Sequence, residues 1–258
     1  MMKRNKTLQV KFSLASLDRD ADLFRYFCFP APGEWDWSEK IFSVHPELKE
    51  ILKGKTLRNS HSLIKQYVRV NRQEHQEEVL SLVGRYQRTW EQVGNDYLTL
   101  LSGHFETTFP KEPQTIRAYI SIVPIFPRDL DAWSFHVGTD EHGMLPIAFH
   151  ELLHFFYFKK WMEVFPETKR EELDSPHLVW KLSEILAPII LNLNPDIQKI
   201  SPVRHGQYDE FAHIRVGEQL LVDRFAALYN AHLRSGESFG IFLTDAWNEA
   251  KKQEKLLS

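Results

Sequence analysis

Two histidines and a glutamate interrupt the apolar run AFHELLHFFYF at residues 148–158. Burying an unpaired polar group is costly, so His150, Glu151 and His154 need something that offsets their desolvation. Four residues of α-helix turn through about 400°, which places His150 and His154 one above the other on a single face. From there each imidazole can give a ring nitrogen to one zinc ion at about 2.0–2.1 Å. Glu151 lies about 100° further round the helix, outside that two-point grip but within reach of a water on the metal. Zinc makes such a water acidic, and a nearby carboxylate can take its proton as general base. This is the His-Glu-x-x-His logic of metal-assisted hydrolysis. With 12 histidines in 258 residues, composition alone yields the pattern about 0.05 times per chain. The competing reading, two core histidines satisfied by the backbone, needs two such coincidences beside a third polar residue.

The elements around the motif must place it. Leu8 to Leu14 alternates in period two, with Leu8, Val10, Phe12 and Leu14 on one side, and predicts a strand. Residues 18–40 are aromatic and broken by Pro30, Pro32 and Gly33, and are expected to be mostly irregular. A helix should follow Pro46. From His61 to about Leu101 the pattern is helical, with NRQEHQEE (71–78) as a break or an exposed turn. Thr115–Phe126 is β-branched and aromatic, and Trp133–Val137 reads as a second strand, ended by GTDEHG (138–143). Helix returns over Leu145–Val164 with Pro146 in its first turn. Ser175-Pro176 should start another that runs to about Asn192. A loop over 195–208, a helix from Asp209 to about Leu233 and a last one over roughly 238–257 complete the chain. The expected fold is α+β and mostly helical, with a small mixed sheet preceding a central helix that bears the motif. A single domain is expected, with the sheet, N-terminal helices and active-site helix over about 1–165 and a helical lobe over about 166–258.

Composition narrows the classes. An apolar fraction of 43% and a charged fraction of 26% suit a soluble globular protein. A net charge of −3 offers no electrostatic case for nucleic acid. Cys28 is the single cysteine, which excludes a disulfide framework and a cysteine metal site. The N-terminal residues lack the continuous apolar stretch of a signal peptide, and Ile185–Leu193 is too short to span a bilayer. A cytoplasmic protein without membrane partners is the expectation.

On HELLH (150–154), a preceding sheet and a following helix, the chain resembles the zincin-type metallopeptidases over roughly residues 115–192. The sequence FFYFKK after His154 lacks the glycine and third histidine of the metzincin extension. It is more similar to the gluzincin branch, in which a glutamate on the next helix completes the site. That helix, PHLVWKLSEILAPIILN (176–192), has Glu184 as its only acid, and the resemblance makes Glu184 the third ligand of one zinc per chain. His177, Glu171 and Glu172 are its rivals. An aspartate four residues on, present in thermolysin-like members, is replaced here by Pro188. The resemblance also implies an oxyanion donor downstream, for which PVRHGQYDEFAHI (202–214) offers Tyr208 first, then His205, with His213 besides. It further implies that Ser134–Thr139 is an edge strand that pairs with extended peptide. The expected activity is hydrolysis of a peptide or protein substrate. The alternatives are a zincin-fold protein that binds without cleaving, and a metal-independent helical interaction protein. The oligomeric state is not readable.

Overall fold

A computed structural model of the chain describes residues 8–30, 35–108 and 115–257. The chain forms two compact units, the first from Met1–Gln92 and Lys111–Ala148, the second from Val93–Pro110 and Phe149–Ser258.

In the first unit, β1 (Gln9–Leu14) pairs in parallel with β2 (Thr115–Ile120), from Gln9 opposite Thr115 to Leu14 opposite Ile120. Val10 and Phe12 are buried while Gln9 and Lys11 face out, the period-two signature of a half-covered strand. Parallel neighbours require a crossover. Here it contains α1 (Leu17–Cys28), α2 (Ser38–Val44), α3 (Pro46–Leu52), α4 (Leu57–Glu74) and α5 (Gln76–His104). On the other side β2 pairs in parallel with β4 (Ser134–Val137), and the two-residue β3 (Arg128–Asp129) lies antiparallel outside β4. The sheet is therefore small and mixed, and the fold is α+β and mostly helical, as the residue patterns imply.

The expected irregular stretch over 18–40 is corrected by α1 and α2. Ser16 Oγ accepts the Arg19 N–H at 3.0 Å, a helix cap. Ala21, Phe24, Phe27 and Cys28 then recur at helical spacing and are buried against Ile64 and Val68 of α4. Each of the two phenylalanines contributes roughly 1.5–3 kcal/mol of burial, enough to override local aromatic crowding. Pro32 and Gly33 lie outside the described residues. Beneath α1, the fully buried Asp20 accepts Arg72 Nη2 at 2.7 Å and Ser121 Oγ at 2.7 Å. Burial pushes the Asp20 carboxyl upward in pKa, and Arg72 opposes the shift. The strand foreseen over 115–126 stops at Ile120, where the Ser121 hydroxyl turns to Asp20 and accepts the Val123 N–H at 3.0 Å.

The helix that bears the motif, α6, spans Glu141–Val164, four residues earlier at its start than the sequence suggested. Asp140 caps it, its carboxylate accepting the N–H groups of His142 and Gly143 at 3.1 Å each. Pro146 therefore sits inside the helix rather than in its first turn. Residues 151–158 are all buried, the signature of a helix surrounded by protein.

The second unit packs α10 (Leu221–Ser235) and α11 (Phe239–Lys252) against α7 (Leu178–Leu193). Tyr97 and Leu101 of α5 are buried, and Tyr97 Oη donates to the Phe149 carbonyl at 2.7 Å. Three boundaries differ from expectation. The helix after Ser175-Pro176 begins at Leu178, with His177 at its cap. The loop over 195–208 contains α8 (Pro195–Ile200), because Asn194 Oδ1 accepts the N–H groups of Asp196 and Ile197 at 3.0 and 3.1 Å. The helix from Asp209 is split into α9 (Asp209–Ala212) and α10 by the hairpin of β5 (Arg215–Val216) and β6 (Gln219–Leu220). Gly217 at φ +65° supplies the left-handed residue of that hairpin. A final turn, α12 (Glu254–Leu257), follows α11. Among the described residues, no helix is long and apolar enough to cross a membrane.

Candidate metal centre

His150 and His154 project from one face of α6, and Glu184 meets them from α7. His154 Nε2 lies 3.0 Å from His150 Nε2, and Glu184 Oε2 lies 3.2 Å from the first histidine and 3.5 Å from the second. With Glu184 ionised, protons alone cannot satisfy all three contacts. Each Nε2 carries at most one hydrogen, and a carboxylate carries none. If both rings are protonated at Nε2 the nitrogens oppose each other, and if only one is, a contact lacks its hydrogen. A cation removes the conflict. Tetrahedral zinc bound at about 2.0–2.1 Å spaces its ligand atoms by about 3.3–3.4 Å, within the 3.0–3.5 Å observed. The donor set fits the metal.

Burial makes the arrangement one-sided. His154 and Glu184 side chains are 0% and 1% exposed, whereas His150 is 17% exposed. Access is therefore past His150. Glu151, beside it in the chain, is buried.

His205 is brought to that side. Its imidazole pKa is pushed down to about 4, first by burial and then by the neighbouring His150. The ring is thus neutral at ordinary pH. Its backbone is clamped to α7, with the His205 N–H donating to Asn192 Oδ1 at 2.9 Å and Asn192 Nδ2 donating to the His205 carbonyl at 2.8 Å. Gln207 Nε2 adds a bond to the Ile185 carbonyl at 3.0 Å. That bond falls in the turn where Pro188 has no N–H to give to the Glu184 carbonyl. Asn192 and Gln207 were not singled out by the sequence. The available signal was a carboxamide in the otherwise apolar run IILNL.

The other candidates occupy the following positions. Tyr208 occupies the cap of α9 and makes an edge contact with Phe211 at 6.2 Å. His213 closes the same short helix at its other end. His177 is exposed, with Nδ1 bonded to the Asp174 carbonyl at 3.0 Å. Glu171 is exposed in a short 3-10 turn, and Glu172 of the same turn accepts the Lys169 N–H at 3.0 Å. The edge-strand expectation for Ser134–Thr139 is corrected. β3 covers Ser134 and Phe135, and the His136 N–H donates to the Pro127 carbonyl at 3.1 Å, so the outer side of β4 is already paired. All four β4 residues are buried.

Compared with profiles of known protein families, with curated proteins and with solved structures, the chain finds no match.

Proposed function

We propose that this chain is a zinc-dependent peptidase of gluzincin type, with one zinc held by His150, His154 and Glu184. The observation that carries the reading is the convergence of their three donor atoms within 4.8 Å of one another. A buried glutamate follows the first of them directly in the helix. Zinc bound there supplies Lewis-acid polarisation of a substrate carbonyl and acidifies an attacking water. The chain's own residues do the rest. Both imidazoles present their Nε2 lone pairs and so carry their protons on Nδ1. Glu151 takes a proton from water at its carboxylate and returns it to the leaving amine nitrogen. Neutral His205, held by Asn192, donates a hydrogen bond to the oxygen that gains charge on the carbonyl. Tyr208 is the alternative donor by position in the sequence. A purely structural site has no use for Glu151, which favours an active enzyme over a binding module.

Zinc per chain is the first measurement, on wild type and Glu184→Ala purified together, and one equivalent against much less is expected. Glu151→Gln should keep its zinc and lose about 10²–10⁴-fold in hydrolysis of any peptide that the wild type cleaves. An equally active Glu151→Gln enzyme, or a wild type that takes up no zinc, would overturn the proposal.

A further inference from the structure

The first unit holds a second candidate site, built from different chemistry. A cavity of about 390 Å³ opens where β1 ends and α1 begins, against the junction of α4 and α5. That volume lies within the range of about 300–1,000 Å³ typical of small-molecule pockets. Leu14, Leu17, Val79 and Leu80 give it apolar walls, and Arg69 and Arg72 are its only charged lining residues among those described. Leu80 is 53% exposed although it faces an apolar hollow, so the site can accept an apolar group without displacing a core side chain.

The two arginines differ in a useful way. Arg72 is held from behind, with Nη2 bonded at 2.7 Å to Asp20, which is itself fixed by Ser121 at 2.7 Å. Its side chain is 14% exposed, and its Nε is buried with no hydrogen-bond partner among the described residues. The guanidinium is thus set in position before any ligand arrives, which limits the ordering cost of binding. Arg69, one turn earlier on α4, is exposed and has no ion-pair partner among the described residues. Asp20 balances one of the two positive charges and leaves the other uncompensated.

We propose that this cavity binds a small amphipathic carboxylate from free solution, its apolar chain against the four aliphatic residues and its carboxylate at Arg69 and Arg72. Charge complementarity selects the anion, since no acid among the described residues lines the cavity, and the mostly aliphatic walls select the tail. The site involves none of the metal-binding residues and is independent of the proposed peptidase activity.

Calorimetric titration of the intact chain with decanoate, decanol and inorganic phosphate tests it. Decanoate is expected to bind, with decanol at least about tenfold weaker because it cannot form the charge-assisted bonds. Phosphate alone should give no measurable heat. Arg69→Glu, at an exposed position, should weaken decanoate by about tenfold or more, and circular dichroism would confirm that the variant is folded. No binding of decanoate to wild type, equal binding of decanol, or unchanged affinity in Arg69→Glu would each overturn the proposal. Two other occupants would overturn it as well. One is a second copy, detected as a dimer that Leu80→Glu dissociates. The other is a membrane, detected as sedimentation with anionic vesicles without binding of free decanoate.

Discussion

Zinc added to metal-free protein should raise its melting temperature by an amount that the structure allows to be worked out. A ligand that binds only the folded chain stabilises it by about 4.1 kcal/mol at a free concentration 1,000 times Kd. Unfolding entropy is about 2.1 cal/mol/K per residue, which over 258 residues comes to about 0.54 kcal/mol/K. The expected rise is then about 8 °C if the chain melts as one. The three candidate ligands all belong to the second unit, which holds roughly half of the residues. If that unit melts by itself, the rise approaches about 15 °C. Glu184→Ala deletes the oxygen that stands 3.2 and 3.5 Å from the two imidazoles. Changes merely behind a ligand cost about 10–100-fold in metal affinity, so deletion of the ligand itself should cost at least about 100-fold. At the same zinc concentration the whole-chain shift would then fall to about 3 °C. Differential scanning calorimetry in buffered zinc, with each metal-free variant as its own baseline, measures both shifts. Equal shifts in the two proteins would remove Glu184 from the ligand set. No shift in wild type would refute the metal site.

Two further predictions concern groups away from the metal. His104 and His136 have pKa values pushed down to about 4 by burial, so below about pH 6.5 the unfolded chain binds more protons than the folded one. Stability is full above that pH and should fall by about 2 kcal/mol per ring between pH 7 and 5 in metal-free protein. Urea unfolding at the two pH values checks this, His104→Gln should flatten the dependence, and a flat wild-type profile would refute it. The Cys28 thiol is pushed up to about 12 by burial, with Asp36 adding to the shift. Since the thiolate is the reactive form, a disulfide exchange reagent at pH 8 should label native protein hardly at all and one thiol per chain in denaturant, whereas rapid native labelling would contradict the burial of α1.

The shared face of His150 and His154 was legible in the sequence because four-residue spacing is a rigid property of a helix. Glu184 needed more, since nothing local says which acid a later helix returns to the same point. It stood out as the lone carboxylate on an apolar helix, and the resemblance supplied the role proposed for it. The failures have local causes. Helix α1 was hidden by aromatic residues and nearby prolines, although Ser16, Asp18 and Asp20 already wrote a helix start. The hairpin between α9 and α10 was missed because its strands are two residues each, too short for a period to show. The covering of β4 by β3 depends on a two-residue pairing that no alternation announces. Asn192 and Gln207 act on backbone groups of distant residues, and the carboxamide of Asn192 in an apolar run marks a polar contact without saying which backbone it meets.

The division of the chain inside α5 and α6 has a consequence for synthesis. The first unit is complete in sequence once Ala148 has been added, so it can fold while the chain is still growing. Val93–Pro110 belongs to the other unit, whose remaining residues start only at Phe149. Tyr97, Leu101 and Phe105, fully buried in the finished protein, therefore emerge long before α10 and α11 exist. At about 5–20 residues per second that interval is on the order of 10 s. During it the second half of α5 is an apolar helix face in search of cover, and a nascent chain halted between residues 110 and 149 should be the form most readily captured by holdase chaperones.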